Sequence, residues 1–327
     1  MFKPSRRTLV LSAAAAGAVF GLDKRVAFIG DAQAQKATAK SILDKGFVKF
    51  KVGDIEVTQI YDGVWQRAHD AGFVKNASVE QVKAALKSGG QSDETVPITF
   101  TVTVIKSKGK TLMFDSSTGG QLAPTAGLMM AKNMYKAGVD PAKINVIAVT
   151  HFHADHISGM ISKETNSRVF PDAEIVLPAA EYKFWMEPSL IEKLPEAARG
   201  NARRIQAVFP KWKNVRQIED GQEVIPGVRA LSMPGHTPGH TGYVVSSGKK
   251  QLIVSSDITN IPVLFVRNPG WHAVFDMDAQ MAEATRRKVF DRAIADKAMI
   301  NGYHWGLPGA GTIKKDGTGY AFVPVNV

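Results

Sequence analysis

Three histidines and an aspartate crowd into six positions, His151, His153, Asp155 and His156, of a chain that holds only eight histidines. The stretch before them, "NVIAV", is apolar and β-branched and reads as a short buried strand. The chain therefore enters the cluster extended, and His151 and His153 project to the same side. Two imidazoles on one side can share one metal ion. Asp155 and His156 follow where the strand turns into a helix, so consecutive residues aim at a neighbouring point and suggest a second ion. Imidazole and carboxylate are ligands that zinc and similar divalent metals accept, and an open coordination position makes such a site catalytic rather than structural. An isolated histidine is more often a surface or core residue than a ligand. Spacing is what argues for a metal here.

More ligand-type residues stand at strand ends. "LSMPGHTPGHTGY" holds His236 and His240 in a Gly/Pro-rich turn, "LIVSSDITN" ends a strand in Asp257, and "INGYHWGLP" ends another in His304. His69 and His272 have no such setting and read as ordinary histidines. The elements that must position these residues follow from turn and periodicity signals. "FVKFKVGDIEVTQIYDG" is a hairpin around Gly53-Asp54, and "ITFTVTVIKSKGKTLMFDSS" a second one turning at Ser107 to Lys110. "NASVEQVKAALKSGG" is a short helix, and another stops near Gly138. "DAEIVLPAAEYKFWM" is a strand then a helix. "YVVSSGKKQLIVSSD" resembles the earlier hairpin and suggests two related halves. "DAQMAEATRRKVFDRAIAD" is an amphipathic helix, and "KAMING" and "GYAFVPV" are closing strands. No Ser-, Gly- or Pro-rich linker divides residues 35–327, which read as a single domain of two mixed sheets packed face to face with helices outside.

Composition narrows the chemistry. The chain of 327 residues has no cysteine, which removes disulfides, thiolate ligands and cysteine nucleophiles together. The net charge is +11; residues 1–34 hold five basic and two acidic residues, so 36 basic and 28 acidic residues remain, a net of +8. Basic pairs and runs such as Arg203-Arg204 and Arg286-Arg287-Lys288 are scattered and read as solvated faces, so nucleic acid is not an expected partner. Residues 1–34 combine Arg6-Arg7 with an apolar run from Thr8 to Leu22, shorter than the about 20 residues of a membrane span. They read as a twin-arginine export signal, with Ala32 and Ala34 at the cleavage site. The expected location is the periplasm, with no stable membrane association after cleavage.

Together, "THFHADH", "MPGHTPGH", Asp257 and His304 resemble the metallo-β-lactamase fold of binuclear hydrolases over nearly all of the chain after the leader. "GDIEVT", "EYKFW", "GHTPGHT", the basic helix near residue 286 and the ending "GTGYAFVPVNV" are similar to the methyl parathion hydrolase and lactonase-like branch. The resemblance implies an α/β fold, the αβ/βα sandwich, with metals between its sheets. It implies that His151, His153 and His236 bind one ion, Asp155, His156 and His304 a second, and Asp257 bridges them, with Asp115 and His240 in support. "FDSSTGG" departs from the branch, because Ser117 stands where a tight-turn glycine is usual.

The cofactors so implied are two divalent metal ions, zinc foremost. The implied function is a hydrolase using a metal-bridging hydroxide to cleave an apolar ester or lactone, and phosphotriesters besides, with Asp155 and Asp257 as its catalytic carboxylates and Asp155 the proton carrier. Asp257 and the missing cysteine argue against a β-lactamase, and His153, where diiron flavoproteins have glutamate, argues against electron transfer. A thioesterase of glyoxalase II type and a non-catalytic periplasmic metal-binding protein stay as alternatives. A homodimer is the assembly the resemblance implies. Phe184, Trp185, Phe265 and Trp271 are the expected pocket walls: Trp185 matches a pocket position of that branch, and the long segment after Asp257 is the kind of loop that carries specificity.

Overall fold

Side-chain alternation sorts the strands into layers. The computed structural model describes residues 42–122 and 125–327, so the expected leader over residues 1–34 lies outside the described residues. Seven strands in chain order make the first sheet: β1 (Phe47–Val52), β2 (Ile55–Arg67), β3 (Val96–Ser107), β4 (Lys110–Phe114), β5 (Val146–Ala148), β6 (Glu174–Pro178) and β7 (Val215–Ile218). Seven more, again in chain order, make the second: β8 (Glu223–Ile225), β9 (Val228–Ser232), β10 (Thr241–Ser247), β11 (Lys250–Ser256), β12 (Met299–Gly302), β13 (Ala310–Asp316) and β14 (Gly319–Pro324). Both sheets mix parallel and antiparallel pairs.

One face of each sheet meets the other sheet. Leu112 and Phe114 of β4 and Val146 and Ala148 of β5 pack against Tyr243 and Val245 of β10 and Leu252 and Val254 of β11. Their alternate neighbours point outward, as a period of two requires. Met113, Ile147 and Leu177 join a layer with Leu86 of α1 (Val79–Ser88), while Ile253 and Ile300 join Val289 and Phe290 of the long C-terminal helix. This is the expected sandwich of two sheets with helices outside. Apolar contact of this kind stabilises a domain by about 25 cal/mol per Å² removed from water.

The two halves share a plan. In the first, β3 and β4 form a hairpin and β5 lies parallel to β4; in the second, β10 and β11 form a hairpin and β12 lies parallel to β11. The first hairpin turns through Lys108 and Gly109, both at positive φ, as a tight hairpin turn demands. Other elements behave as their sequences suggest. Ser78 and Gln81 close a capping box on α1, and Asp278 caps the C-terminal helix by accepting from the Met281 N–H. Among the described residues no helix is long and apolar enough to cross a membrane.

Further helices are α2 (Ala154–Ile157), α3 (Ala179–Trp185), α4 (Glu196–Val208), α5 (Pro262–Phe265) and α6 (Ala279–Ala295), the last being the C-terminal helix named above. The basic run of α6 departs from expectation. Arg286 is 1% exposed, whereas its neighbour Arg287 lies at the surface and pairs with Glu283. Arg286 shares the inner stripe of α6 with Ala282, Val289 and Ala293. Helical phase put it inside, and composition could not reveal that.

Candidate metal centre

Each ligand-type residue follows the end of a strand. The chain leaves β5 at Ala148 and runs extended to His153, then turns into α2, whose first turn carries Asp155 and His156. His236 and His240 lie on the β9–β10 connection, Asp257 follows β11, and His304 follows β12. Backbone bonds stitch these ends together across the sheets: Thr241 donates to the Thr150 carbonyl at 3.0 Å and Thr101 to the Tyr303 carbonyl at 3.1 Å. Three overlapping groups result, His151 with His153 and His236, His151 with His156 and Asp257, and Asp155 with His156 and His304. In each, the ligand atoms lie within 4.8 Å of one another.

Hydrogen bonds behind the imidazoles choose which nitrogen faces this space. His304 Nδ1 donates to the Thr99 carbonyl at 2.7 Å, His236 Nδ1 to Asp276 at 2.9 Å and His156 Nδ1 to Asp115 at 2.8 Å. Thr150 donates its hydroxyl proton to Asp115 at 2.8 Å and so accepts from His151 Nδ1 at 3.0 Å. With Nδ1 protonated, each of the four rings turns Nε2 to the centre, where His304 Nε2 donates to Asp257 Oδ2 at 3.0 Å. Such outer bonds fix the tautomer and raise the basicity of a ligand. His153 differs, presenting Nδ1 2.9 Å from His236 Nε2.

Electrostatics make the centre hungry for a cation. Burial and then the neighbouring imidazoles hold His151 and His153 well below the ordinary histidine pKa, so both are neutral donors. Burial opposes charge on His156 and His304 as well, but Asp257 and Asp155 outweigh it and raise both. Burial also works against the Asp257 carboxylate, yet His304 and His156 hold it well below the usual range, ionised. His151 Nε2, His156 Nε2 and Asp257 Oδ1 are buried without a hydrogen-bond partner among the described residues. Orphaned buried polar atoms are costly and rare, and divalent ions held among these groups would satisfy all three. The all-nitrogen-and-oxygen donor set fits zinc or a similar metal.

The two residues expected as supports both contact the ligand-type residues. Asp115 spans Thr150 and His156, and His240 donates to the Met233 carbonyl while accepting from the Asp257 N–H at 3.2 Å. Burial, reinforced by His236, pushes the His240 pKa down to about 3, which keeps its accepting lone pair free. Ser117 does hold the tight turn without a glycine. It takes φ 62 beside Asp115 at φ 60, and its hydroxyl donates to the buried Asp62 at 2.8 Å. A left-handed non-glycine residue costs about 1–2 kcal/mol, strain of the sort found beside functional sites. His69 and His272 stay apart from the centre, on the Asp93 carbonyl and on Glu283.

Two of the expected pocket walls are core residues. Trp185 is 1% exposed and Phe265 0%, so neither presents a face to solvent. Trp185 meets His153 edge-on with ring centres 6.3 Å apart and donates its indole N–H to Glu181 at 2.6 Å; Phe265 packs on Phe73. The match to the branch for Trp185, and the place after Asp257 for Phe265, made them expected walls, but the layer between helices and sheet claims them. Phe184 and Trp271 are half-buried. A surface cavity of about 290 Å³ between Tyr135 and Phe170 shares no residue with the cluster.

Glu181 escaped the sequence reading. It is fully buried and accepts four bonds: from the Phe152 N–H at 2.9 Å, Trp185, the Thr237 hydroxyl at 2.7 Å and the Gly239 N–H at 3.0 Å. It thereby joins the His151–His153 loop to the His236–His240 loop. Gly239 lies so close that a Cβ there would meet the Glu181 backbone nitrogen at 2.0 Å. A carboxylate opening a helix just after an apolar strand was the available signal. Tyr303 also escaped: its phenol donates to the Asp155 carbonyl at 2.7 Å, and its ring lies 4.0 Å from that of His156.

Comparison with known proteins follows the same lines. A family model described as the metallo-beta-lactamase superfamily matches residues 101–296. An N-acyl homoserine lactonase of a Bacillus species is 29% identical over 114 residues, 35% of this chain and 38% of the relative. A probable metallo-hydrolase of Mycobacterium tuberculosis is 29% identical over 139 residues, 39% of this chain and 41% of the relative. The matched stretches thus span about two-fifths of these curated relatives. Among solved structures, AidC, a dizinc quorum-quenching lactonase in complex with a product, N-hexanoyl-L-homoserine, superposes with a TM-score of 0.76 at 26% identity, covering 86% of this chain and 98% of AidC. A hydrolase in the beta-lactamase superfamily reaches 0.79 at 22% identity, with 86% and 98% covered, a likeness of fold.

Proposed function

Because the chain belongs to the metallo-beta-lactamase superfamily, we propose that it is a binuclear metal-dependent hydrolase that opens an apolar lactone or ester. The observation that carries this reading is the set of partnerless buried polar atoms, on His151, His156 and Asp257, that two sheets aim at one buried space. His151, His153 and His236 would hold one ion, Asp155, His156 and His304 a second, and Asp257 would stand between them. Bound there, divalent metals would lower the pKa of a water to roughly 7 and polarise a substrate carbonyl.

The chain's own residues supply orientation and proton transfer. Asp257, 5% exposed and ionised, is held by the His240 contact to its backbone. Asp155 is the more open carboxylate, 22% exposed, with an oxygen 3.5 Å from both His156 and His304. In this reading it takes the proton of the attacking water and returns it to the leaving alkoxide as the acyl C–O bond breaks.

Similarity to N-acyl homoserine lactonases and to AidC supports a lactone as substrate. Its apolar character is supported by the loop after Asp257, where Val274 and Met277 are exposed, Trp271 is half-buried and the Met277 N–H donates to the His236 carbonyl at 3.1 Å. The test is a hydrolysis panel of lactones, aryl esters, glutathione thioesters and phosphotriesters with the zinc-reconstituted protein. Lactones and aryl esters should lead. A clear preference for glutathione thioesters would replace this reading with a thioesterase, and metal binding without hydrolysis would leave a carrier.

The Arg6-Arg7 leader supports a second proposal, export to the periplasm in folded form. Replacing both arginines by lysine should hold the protein in the cytoplasm, as cell fractionation would read.

A further inference from the structure

Arg286 is buried in the middle of α6, beneath the loop that follows Asp257. A guanidinium carries five N–H donors and stays charged, so a buried one requires acceptors. Arg286 has them on three sides. Its Nε donates to the Ile258 carbonyl at 2.8 Å, one terminal nitrogen donates to the carbonyls of Pro269 at 2.8 Å and Trp271 at 3.0 Å, and the other donates to Asp276 at 3.2 Å. Phe265 lies under the guanidinium, 5.7 Å away at its ring centre. The second oxygen of Asp276 accepts from His236 Nδ1 at 2.9 Å.

These contacts form a chain of consequence. Ile258 directly follows Asp257, Asp276 orients His236, and Pro269 and Trp271 belong to the loop proposed to receive substrate. His236 Nε2 and Asp257 Oδ2 stand 3.5 Å apart across the gap the two supports define. We propose that Arg286 and Asp276 act as a positioning clamp, which sets His236 against Asp257 and ties that spacing to the Pro269–Trp271 loop, so that metal site and substrate loop keep one geometry. The clamp rests on the metal-site reading above. Lysine could not replace Arg286, because one ammonium cannot reach carbonyls at residues 258 and 269–271 and a carboxylate at 276 together.

Zinc-binding calorimetry on the metal-free full chain tests the clamp, with lactone kinetics of the zinc-saturated protein as a second readout. Asp276→Asn should lower the affinity for one of the two ions about 10- to 100-fold and leave the other unchanged, since only His236 has its charged acceptor replaced by a neutral amide. Arg286→Lys should raise KM more than it lowers kcat, through the loosened loop. Arg287→Lys, on the exposed neighbour, should change neither. If Asp276→Asn does not fold, Asp276→Leu with Arg286→Met removes both buried charges at similar volume and should show the same selective loss. Equal weakening of both ions would mark a general structural role and overturn the clamp, as would undiminished zinc affinity in a folded variant. A wild-type protein that binds two zinc ions but hydrolyses nothing would sink the proposed function, and the zinc isotherms would still decide the clamp. One that binds no zinc would overturn both.

Discussion

Two regions build the metal centre in opposite ways. Residues 150–156 deliver His151, His153, Asp155 and His156 from a single strand-to-helix passage, whereas the second sheet delivers His236, Asp257 and His304 from three separate strand ends. Their supports differ in the same sense. Asp115 braces two ligands of the contiguous set at once, holding His156 directly and His151 through the Thr150 hydroxyl. The dispersed ligands have private braces: Asp276 for His236, the Thr99 carbonyl for His304, and His240 for the Asp257 backbone. Damage to a support should therefore spread across the first region and stay local in the second.

The broadest way to break this comparison is to remove the metals, which both regions are proposed to share. Chelation should reduce hydrolysis on the order of a thousandfold or more, a loss of about 4 kcal/mol in transition-state stabilisation, and added zinc should restore it. Appreciable turnover by rigorously metal-free protein would mean that neither region is the catalyst. Asp257→Ala removes the carboxylate that faces both groups of histidines. Elemental analysis should show metal content falling from two equivalents toward one, with kcat/KM down about a hundredfold, near 3 kcal/mol.

Asp115→Asn sharpens the contrast between the regions. Both ions should lose about 10- to 100-fold in affinity, because His151 and His156 share this one support, while Thr150→Val should weaken only the ion that His151 serves. Metal titrations in which Asp115→Asn weakens a single ion would show that the contiguous set is not jointly braced. The smallest expected effect is that of Glu181→Gln, where the two regions meet. Each oxygen accepts two of the four bonds, so an amide nitrogen must then face two donors, which costs about 1–3 kcal/mol. In a domain of this size each 1 kcal/mol lowers Tm by roughly 2–4 °C, which a melting curve resolves. An unchanged Tm would mean that Glu181 does not couple the two loops.

Legibility in the sequence followed the same division. The contiguous ligands could be read from spacing, since an extended chain puts alternate residues on one side and a helical turn presents the next ones together. The dispersed ligands were legible only as polar residues closing apolar strands, and their grouping rested on resemblance. Arg286 and Glu181 were not legible in their roles. Arg286 read as part of a solvated basic run, and its burial depended on which stripe of α6 faced the sheet. Trp185 read as a pocket wall from its match to the branch and Phe265 from its place after Asp257; aromatic residues suit both a core and a cleft, and only the packing of α3 and α5 separated the two uses.

The sequence by itself determined what could be chosen locally. These were the donor types, the exclusion of sulfur ligands, the in-and-out alternation that makes two sheets stack, and the four-residue ligand motif whose geometry follows from backbone periodicity. Tertiary structure decided what depends on approach through space: which imidazole nitrogen turns to the centre, which buried polar atoms are left partnerless, and which arginine of a basic run is buried. The physical reason is that a tautomer or a buried charge is set by the acceptor across the gap. That acceptor, the Thr99 carbonyl for His304 or Asp276 for Arg286, is brought there only by the packing of the sheets and helices.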